Sequence, residues 1–214
     1  PLPKGLLHRY AVLIAARNEE TVIGSLIESI KRQNYPADRI DIYVIADNCT
    51  DCTAKAAKSH GATVFERFDK VRIGKGYALN YLLGRIKKIY DAYLVFDADN
   101  VVDKNFVREI KKTFSAGYDI VTSYRNSKNY GDNWISSGYG LWFLREAQYL
   151  NRPHAVLGAS CGVSGTGFLF SRRILEQCGG WNFFLLTEDI EFTAHNIANG
   201  EKIGYCPNAV FYDE

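Results

Sequence analysis

The sequence lacks methionine, long apolar runs and a dominant charge sign. No run reaches the roughly 18 apolar residues that a membrane-spanning helix needs, so no span is expected within the chain. Lysine and arginine together number 26, and aspartate and glutamate 24. Proteins that bind nucleic acids usually show a clear basic excess, and this near balance therefore predicts no nucleic-acid partner.

Cysteine is scarce, and its count of five is odd. No secretory signal is evident, which favours reduced thiols in a cytosolic setting. Cys49 and Cys52 have the spacing of a metal or redox pair, but no second Cys/His pair follows at zinc-finger spacing. We therefore expect neither a zinc site nor a redox pair.

Repeats, low-complexity segments and linkers are also missing, which predicts a single domain over residues 1–214. The absence of an initiator methionine and the opening Pro1–Lys4 predict that this domain is a fragment of a longer chain. Hydrophobic residues make up 47% of the sequence and charged residues 23%, a composition that can bury a globular core.

Strand and helix patterns alternate through the first 120 residues. Apolar runs predict strands at Tyr10–Ala16, Ile40–Ala46, Ala62–Phe65, Ala92–Phe96 and Tyr118–Ser123. Helical spacing predicts helices at Thr21–Arg32, Thr53–Ser59, Lys75–Ile89 and Asn105–Ser115. This alternation predicts an α/β fold, with a mostly parallel central sheet flanked by helices.

The second half has a weaker pattern. We predict an amphipathic helix at Tyr139–Leu150, a Gly/Ser-rich loop at Gly158–Gly167 and a strand at Phe168–Phe170. Further elements are predicted at Thr187–Ala198 as a helix, and at Ile203–Cys206 and Ala209–Tyr212 as short strands.

Polar residues follow the predicted strands, at the edge where open α/β sheets bind ligands. Asp97 and Asp99 come at the end of a buried strand, and two carboxylates one residue apart can face one Mg²⁺ or Mn²⁺ ion. The alternative is a polar turn that caps the next helix.

A nucleotide loop is suggested by the residues after the first two strands. The carboxylate of Asp47 can accept the imino N–H of a uracil, while Thr50 and Asp51 are better explained as caps of the following helix. Ala15 and Ala16 are small enough for a base and ribose to lie against the backbone. Arg17 can approach a diphosphate, although Arg17–Glu20 is equally an ordinary strand-to-helix loop.

Two familiar nucleotide motifs are missing. Gly74-Lys75-Gly76 lacks the upstream glycine and the Ser/Thr of a phosphate-binding loop. No G-x-G-x-x-G follows the first strand, so a nicotinamide cofactor is not expected.

Acidic residues cluster at the start of the predicted helix Thr187–Ala198. Asp189 has the chemistry of a general base, because a carboxylate beside a hydroxyl can take its proton during attack. Helix-dipole stabilisation explains Glu188, Asp189 and Glu191 equally well. Trp181 offers a ring on which an acceptor sugar can stack, and a core position is the equal alternative.

Taken in order, seven short motifs resemble those of the family 2 glycosyltransferases, in particular the bacterial cellulose-synthase-like and N-acetylglucosaminyltransferase-like branch. The motifs are Ala16-Arg17-Asn18-Glu19-Glu20, Tyr35-Pro36, Asp47-Asn48-Cys49-Thr50-Asp51, Gly74-Lys75-Gly76-Tyr77-Ala78-Leu79-Asn80, Asp97-Ala98-Asp99, Gly179-Gly180-Trp181 and Thr187-Glu188-Asp189. The resemblance covers essentially the whole chain.

The resemblance implies a nucleotide-diphosphosugar transferase of GT-A fold that uses Mg²⁺ or Mn²⁺ and inverts the anomeric carbon. It implies that Asp47 binds uracil, Asp97 lies by the donor ribose or sugar, Asp99 binds the metal with Asp97 beside it, and Asp189 is the base. The remaining donor-binding candidates are Ala16, Arg17, Glu19 and Lys75, and the acceptor-binding candidates are Trp181 and Glu188.

The resemblance also implies a UDP-sugar donor, a glycan or lipid-linked acceptor and a role in polysaccharide or cell-envelope glycan synthesis. Membrane attachment is expected through segments outside this chain, at the cytoplasmic face, with the fragment itself soluble. Two departures stand out: Cys49 replaces the usual Ser, and no Gln-x-x-Arg-Trp motif of processive members occurs before Glu214.

Two other functions compete. A sugar-1-phosphate nucleotidyltransferase needs a Gly-rich loop after the first strand, and Ala15–Glu20 contains no glycine. A non-catalytic nucleotide-sugar-binding module is disfavoured because both Asp99 and Asp189 are present.

Overall fold

A computed structural model describes residues 7–213, so the opening Pro1–Lys4 lies outside the described residues. Eight strands form one sheet in the order β3-β2-β1-β4-β7-β6-β8-β5. The strands are β1 Tyr10–Ala16, β2 Ile40–Asp47, β3 Thr63–Arg67, β4 Ala92–Asp97, β5 Val101–Val102, β6 Ile120–Ser127, β7 Phe168–Ser171 and β8 Ile203–Asp213.

Helices follow most of the strands. They are α1 Ile23–Lys31, α2 Thr53–Ser59, α3 Lys75–Leu83, α4 Phe106–Ser115, α5 Trp134–Arg145, α6 Arg152–Val156, α7 Arg172–Gln177 and α8 Glu188–Ala198. A 3₁₀ turn at Ala37–Arg39 precedes β2, and a π-helical turn at Glu146–Asn151 joins α5 to α6.

The sheet is mixed, with most strands pointing one way. Strand β1 pairs in parallel with β2 and β4, β2 with β3, and β6 with β8. Strand β7 lies antiparallel between β4 and β6, and β5 is antiparallel to β8. The predicted α/β class is confirmed, and the reversal at β7 is the part that alternation of elements did not reveal.

Two apolar layers cover the two faces of the sheet. Successive side chains of a strand point to opposite faces, so Ile14 of β1 packs in one layer with Ile27 of α1. Its neighbour Leu13 packs in the other layer with Leu79 of α3. An unbroken apolar strand such as β1 is therefore buried on both sides, as its sequence predicts.

Several predicted boundaries are wrong, including the end of α3 and the start of α5. Helix α3 ends at Leu83 instead of Ile89, because Gly84 follows and, of the residues between it and Tyr90, only Ile86 packs against the core. Helix α5 begins at Trp134, five residues earlier than predicted, because the Asn133 side chain caps it by accepting bonds from the N–H groups of Ile135 and Ser136 at 2.9 and 3.1 Å.

A third difference concerns the last strand. The two predicted short strands form the single strand β8, whose register with β6 shifts between Ser123 and Tyr124. Such an irregularity absorbs extra residues without ending the pairing. No helix within residues 7–213 is long and apolar enough to cross a bilayer.

Candidate functional site

An open cleft of about 360 Å³ lies at the carboxyl ends of β1, β2 and β4. Parallel pairing brings these ends together, since Ala15 of β1 is in register with both Ile45 of β2 and Asp97 of β4. The cleft brings together all the predicted donor-binding residues and both predicted metal ligands. They are Ala16, Arg17, Glu19, Asp47, Lys75, Asp97 and Asp99.

Asp47 is held by a buried ion pair at the end of β2. Its Oδ1 accepts a hydrogen bond of 2.6 Å from Nη1 of Arg67, the last residue of β3 and its register partner. Both side chains are nearly inaccessible, and Arg67 also pairs through Nη2 with Oδ2 of Asp69 at 3.2 Å. The pair fixes the Asp47 carboxylate at the floor of the cleft.

The two loops beside Asp47 are tied to each other. Asn18 and Asn48 have φ values of 58° and 53°, a left-handed conformation that asparagine tolerates. The Asn18 side chain accepts from the Thr50 N–H at 2.8 Å, and the Asn48 side chain exchanges two bonds with the backbone of Asp69. Asp51 accepts from the Thr53 N–H at 3.0 Å, close to the start of α2. These contacts support the helix-end explanation for Asp51 and tie Thr50 to the other loop instead.

Lys75 crosses the site from the first turn of α3. Its ammonium donates to Oδ1 of Asp97 and, at 2.8 Å, to the carbonyl oxygen of Gly165. The next residue is Gly76, where a Cβ atom would lie 1.9 Å from the carbonyl oxygen of Phe183. Only glycine permits this approach. The Gly-Lys-Gly sequence therefore places the Lys75 ammonium between α3, the end of β4 and the loop at Gly165, and it does not form a phosphate-binding loop.

Asp99 lies in a concentration of negative charge. Burial and the carboxylates of Asp213 and Asp97 raise its pKa above the usual range. The buried Asn100 side chain donates to Oδ1 of Asp213 at 2.8 Å and to Oδ1 of Asp99 at 3.3 Å, and it also accepts from the Asp97 N–H at 3.1 Å. Asn100 thereby fixes the turn that carries both aspartates.

The residues at this turn fit a hard divalent cation in part. Carboxylate oxygen is the donor that Mg²⁺ and Mn²⁺ prefer, and a cation beside Asp99 would offset the charge that raises its pKa. Asp97 is already paired with Lys75 through one oxygen. Within residues 7–213, no group of three or more His, Cys, Asp or Glu side chains is arranged to hold a metal by itself. A cation here would therefore need further oxygen donors from outside the chain.

A second cleft, of about 450 Å³, adjoins the first and shares the Lys75–Asp97 pair with it. Glu188 and Asp189 line it at the start of α8, opposite Gly165. Asp189 is half-buried: its Oδ1 accepts from the Ile190 N–H at 2.9 Å, and its Oδ2 lies on the side of Gly165. Burial raises the pKa of Glu188, and the Lys75 ammonium partly opposes that shift.

Trp181 does not line either cleft. Its side chain is 2% exposed and packs among Phe168, Phe170 and Phe192, stacked on Phe192 with ring centroids 5.1 Å apart. No acceptor sugar can reach this ring, so the predicted stacking role is wrong and the core alternative is correct. Its indole nitrogen has no hydrogen-bond partner in the structure.

Several residues of the site escaped the sequence analysis. Arg67 was missed because the predicted strand stopped at Phe65, two residues short. Nothing in the sequence marks Asn100 as a site residue except its position directly after the Asp97-Ala98-Asp99 motif. Glu191 looked like a helix-dipole residue, but its Oε2 accepts from the N–H groups of Phe184 and Leu185 at 2.9 and 3.1 Å and so fixes the loop before Asp189.

The amino-acid sequence matches a known family. The family described as Glycosyltransferase like family 2 matches residues 8–214. The beta-monoglucosyldiacylglycerol synthase of Synechocystis is 29% identical over 210 residues, which are 95% of this chain and 43% of that protein. The chain thus spans less than half the length of this relative.

Solved structures share the fold. The mannosyltransferase PcManGT of Pyrobaculum calidifontis, in complex with GDP-Man and Mn²⁺, superposes with a TM-score of 0.70 at 21% identity, over 97% of this chain and 57% of that one. Glucosyl-3-phosphoglycerate synthase of Mycobacterium tuberculosis, in complex with Mn²⁺, UDP and phosphoglyceric acid, gives 0.65 at 21% identity, over 97% and 71%.

The mixed sheet and its helices therefore form the GT-A fold of glycosyltransferases. The chain belongs to the family 2 glycosyltransferases.

Proposed function

We propose that this chain transfers a sugar from a UDP-sugar to an acceptor hydroxyl by direct displacement, with inversion at the anomeric carbon. The observation that carries this proposal is the adjacency of the two clefts. The Lys75–Asp97 pair lies between the nucleotide loop around Asp47 and the carboxylate of Asp189. A donor and an acceptor can therefore meet at one point from opposite sides.

The first cleft, which we call the donor cleft, suits a nucleoside diphosphate with uracil as its base. Asp47 offers its second carboxylate oxygen to the imino N–H, since Arg67 is bonded to the first. Ala15 and Ala16 leave room for the base and ribose, and the exposed Arg17 lies on the same wall for the diphosphate. Relatives of this fold are described with UDP and with GDP-Man, so the uracil assignment rests on Asp47.

A bound Mg²⁺ or Mn²⁺ would neutralise the charge that develops on the leaving diphosphate. Asp99 would hold it, with Asp97 beside it, and the diphosphate oxygens would complete the donors that the chain lacks. Asn100 holds the turn that carries both aspartates.

The chemical step is assigned to Asp189. Its carboxylate takes the proton of the acceptor hydroxyl as that oxygen bonds to the anomeric carbon, and the bond from this carbon to the diphosphate breaks. Glu188, buried beside Lys75, is placed to orient the acceptor. Lys75 keeps Asp97 and the Gly165 backbone at a fixed spacing on the donor side.

The acceptor is proposed to be a lipid-linked or glycan hydroxyl, in cell-envelope or polysaccharide synthesis at the cytoplasmic face of the membrane. The second cleft, which we call the acceptor cleft, is lined in part by Phe184, Leu185 and Leu186, and Leu186 is 99% exposed. The name of the Synechocystis relative, beta-monoglucosyldiacylglycerol synthase, supports a lipid acceptor. We propose that the chain is the catalytic domain of a longer, membrane-associated protein.

The test is release of the nucleoside diphosphate, UDP or GDP, from a panel of UDP-sugars and GDP-mannose, with Mn²⁺ or Mg²⁺ and a diacylglycerol acceptor. We expect release from one or more UDP-sugars, and less with GDP-mannose or after chelation of the metal. Donor binding without any release would favour the non-catalytic module. Pyrophosphate release from UTP and a sugar-1-phosphate would favour the nucleotidyltransferase.

A further inference from the structure

The segment from α5 to α6 presents an unusually apolar surface to solvent. Of the twelve residues of α5, only Ser136 and Phe143 are buried. The exposed apolar side chains define what we call the α5–α6 face. They are Trp134, Ile135, Tyr139, Leu141, Trp142, Leu144, Tyr149, Leu150, Val156 and Leu157.

The exposure of this face is large for the residue types involved. Trp134 is 83% exposed, Trp142 58% and Tyr149 74%. A helix that is apolar on nearly all sides is normally buried, and a contiguous exposed apolar patch usually marks an interaction surface. The face therefore needs a partner in the working protein.

The charges on the same segment have one sign. Between Asn133 and Ala159 the exposed ionisable residues are Arg145, Arg152 and His154. The one acidic residue there, Glu146, points inward beside Ser164 and Arg125 in a small cavity. The guanidinium of Arg145 lies 5.0 Å from the centre of the Trp142 ring, so cation and aromatic ring occupy one patch.

We propose that the α5–α6 face docks on an anionic lipid bilayer. Tryptophan and tyrosine combine an apolar ring with a polar tip and prefer the headgroup region. Leucine and valine side chains between them can enter the acyl boundary, and arginines at its edge meet lipid phosphates. A second copy of the chain fits less well, because a two-fold interface would set this basic patch against itself.

Docking would place the bilayer next to the acceptor side of the site. The inner side of the same segment carries Phe143 and Glu146, and Glu146 is near enough to Asp189 for that carboxylate to contribute to its raised pKa. The inner side of the segment that bears this face therefore lies close to Asp189. The inference goes beyond the proposed transfer reaction and does not depend on it.

The test is flotation of this chain with vesicles of phosphatidylcholine, with and without phosphatidylglycerol. We expect binding to the anionic vesicles, weakened by salt. The double variant Trp134→Ser/Trp142→Ser should lower the partition coefficient about tenfold or more. Arg145→Ala and Arg152→Ala should each lower it about fivefold, and only on anionic vesicles.

Ile89→Ser is the matched control, since Ile89 is 65% exposed but lies far along the chain, after α3. It should bind vesicles as the wild type does. UDP affinity of each variant reports on folding and is independent of vesicle binding. The proposal is overturned if the wild type ignores anionic vesicles or if the double variant binds them equally well. It is also overturned if sedimentation shows a dimer that the double variant separates, because the partner is then a second copy.

Discussion

The two halves of this chain are built on different principles. From β1 to α4, strands and helices alternate, and the polar residues stand directly after buried parallel strands. From β6 to β8 the elements are a long exposed helix, a π-helical turn and glycine-rich loops around the antiparallel strand β7. The first half supplies the cleft around Asp47 and Asp97, which we propose binds the donor, and the second half supplies Asp189 and the α5–α6 face.

The two halves hold their site residues in different ways. Asp47 and Asp97 are fixed by strand register and by ion pairs to Arg67 and Lys75. Asp189 is held by the first turn of α8 and by a loop that Glu191 ties down. A common donor needs a constant frame, whereas acceptors vary, and loops on a rigid scaffold tolerate variation better.

A substitution at Asp189 is the strongest test of this difference between the two halves. Asp189→Asn keeps the side-chain size and removes the basicity, so transfer should fall by about 10²–10⁴-fold. UDP affinity with Mn²⁺ should stay near the wild-type value, because the residue lies outside the donor cleft. Transfer rates and UDP calorimetry measure the two effects, in a protein long enough to be active.

Asp132→Asn is the control, since Asp132 is exposed and lines neither cleft. A wild-type transfer rate for Asp189→Asn, or loss of its UDP binding, would remove Asp189 from the role of base.

Truncation of two tryptophans in the second half should affect the free energy of unfolding very differently. Trp181→Ala opens a cavity in the aromatic core and should lower the free energy of unfolding by about 3–5 kcal/mol. Trp142→Ala removes an exposed ring and should change it by no more than about 0.5 kcal/mol. Urea denaturation of both variants gives the values, and similar losses for the two would contradict the placement of these rings.

The Asp47–Arg67 pair tests the rigidity of the donor half. Asp47→Ala leaves the buried Arg67 charge with Asp69 as its remaining ionic partner, so the loss should lie at or below the about 3–5 kcal/mol typical of removing one member of a buried pair. The double variant Asp47→Ala/Arg67→Met removes both charges and should regain much of that stability. UDP affinity should be low in both variants, since both lack the Asp47 carboxylate that accepts the uracil N–H. Calorimetry that finds wild-type affinity in the double variant would exclude Asp47 from the donor site.

Most of the donor half could be predicted from sequence, and the reason is local. Buried parallel strands appear as apolar runs, and the residue that ends each run falls at the ligand-binding edge. That logic predicts that Asp47 and Asp97 lie at the same edge of the sheet, and both line one cleft. It missed Arg67, because β3 is short and half-exposed and its last residues resemble a loop.

The acceptor half was less predictable because long-range packing decides it. The local sequence around Trp181 is compatible with a buried ring and with a ring that stacks on an acceptor sugar. Only the packing of Trp181 in the aromatic cluster around Phe192 distinguishes the two. The reversed direction of β7 depends on its neighbours β4 and β6, which lie far away along the chain. The apolar stripe of α5 predicted a helix with a buried face, and the structure leaves most of that stripe exposed.

The smallest effect is expected at Asp99, from its raised pKa. A carboxyl whose pKa is higher in the folded than in the unfolded chain favours folding below its ordinary value of 3.8 and loses that contribution as pH rises through the raised pKa. Without metal, Asp99→Asn should therefore melt at a higher temperature than the wild type at about pH 7, and the gap should shrink towards about pH 4. For a chain of this size each 1 kcal/mol corresponds to about 2–4 °C. With Mn²⁺ and UDP the order should reverse, because the variant lacks the proposed metal ligand. Thermal scans across this pH range, with Asp132→Asn as the control, measure both effects. A difference in melting temperature that is constant with pH would show that the charge around Asp99 is already balanced without a cation.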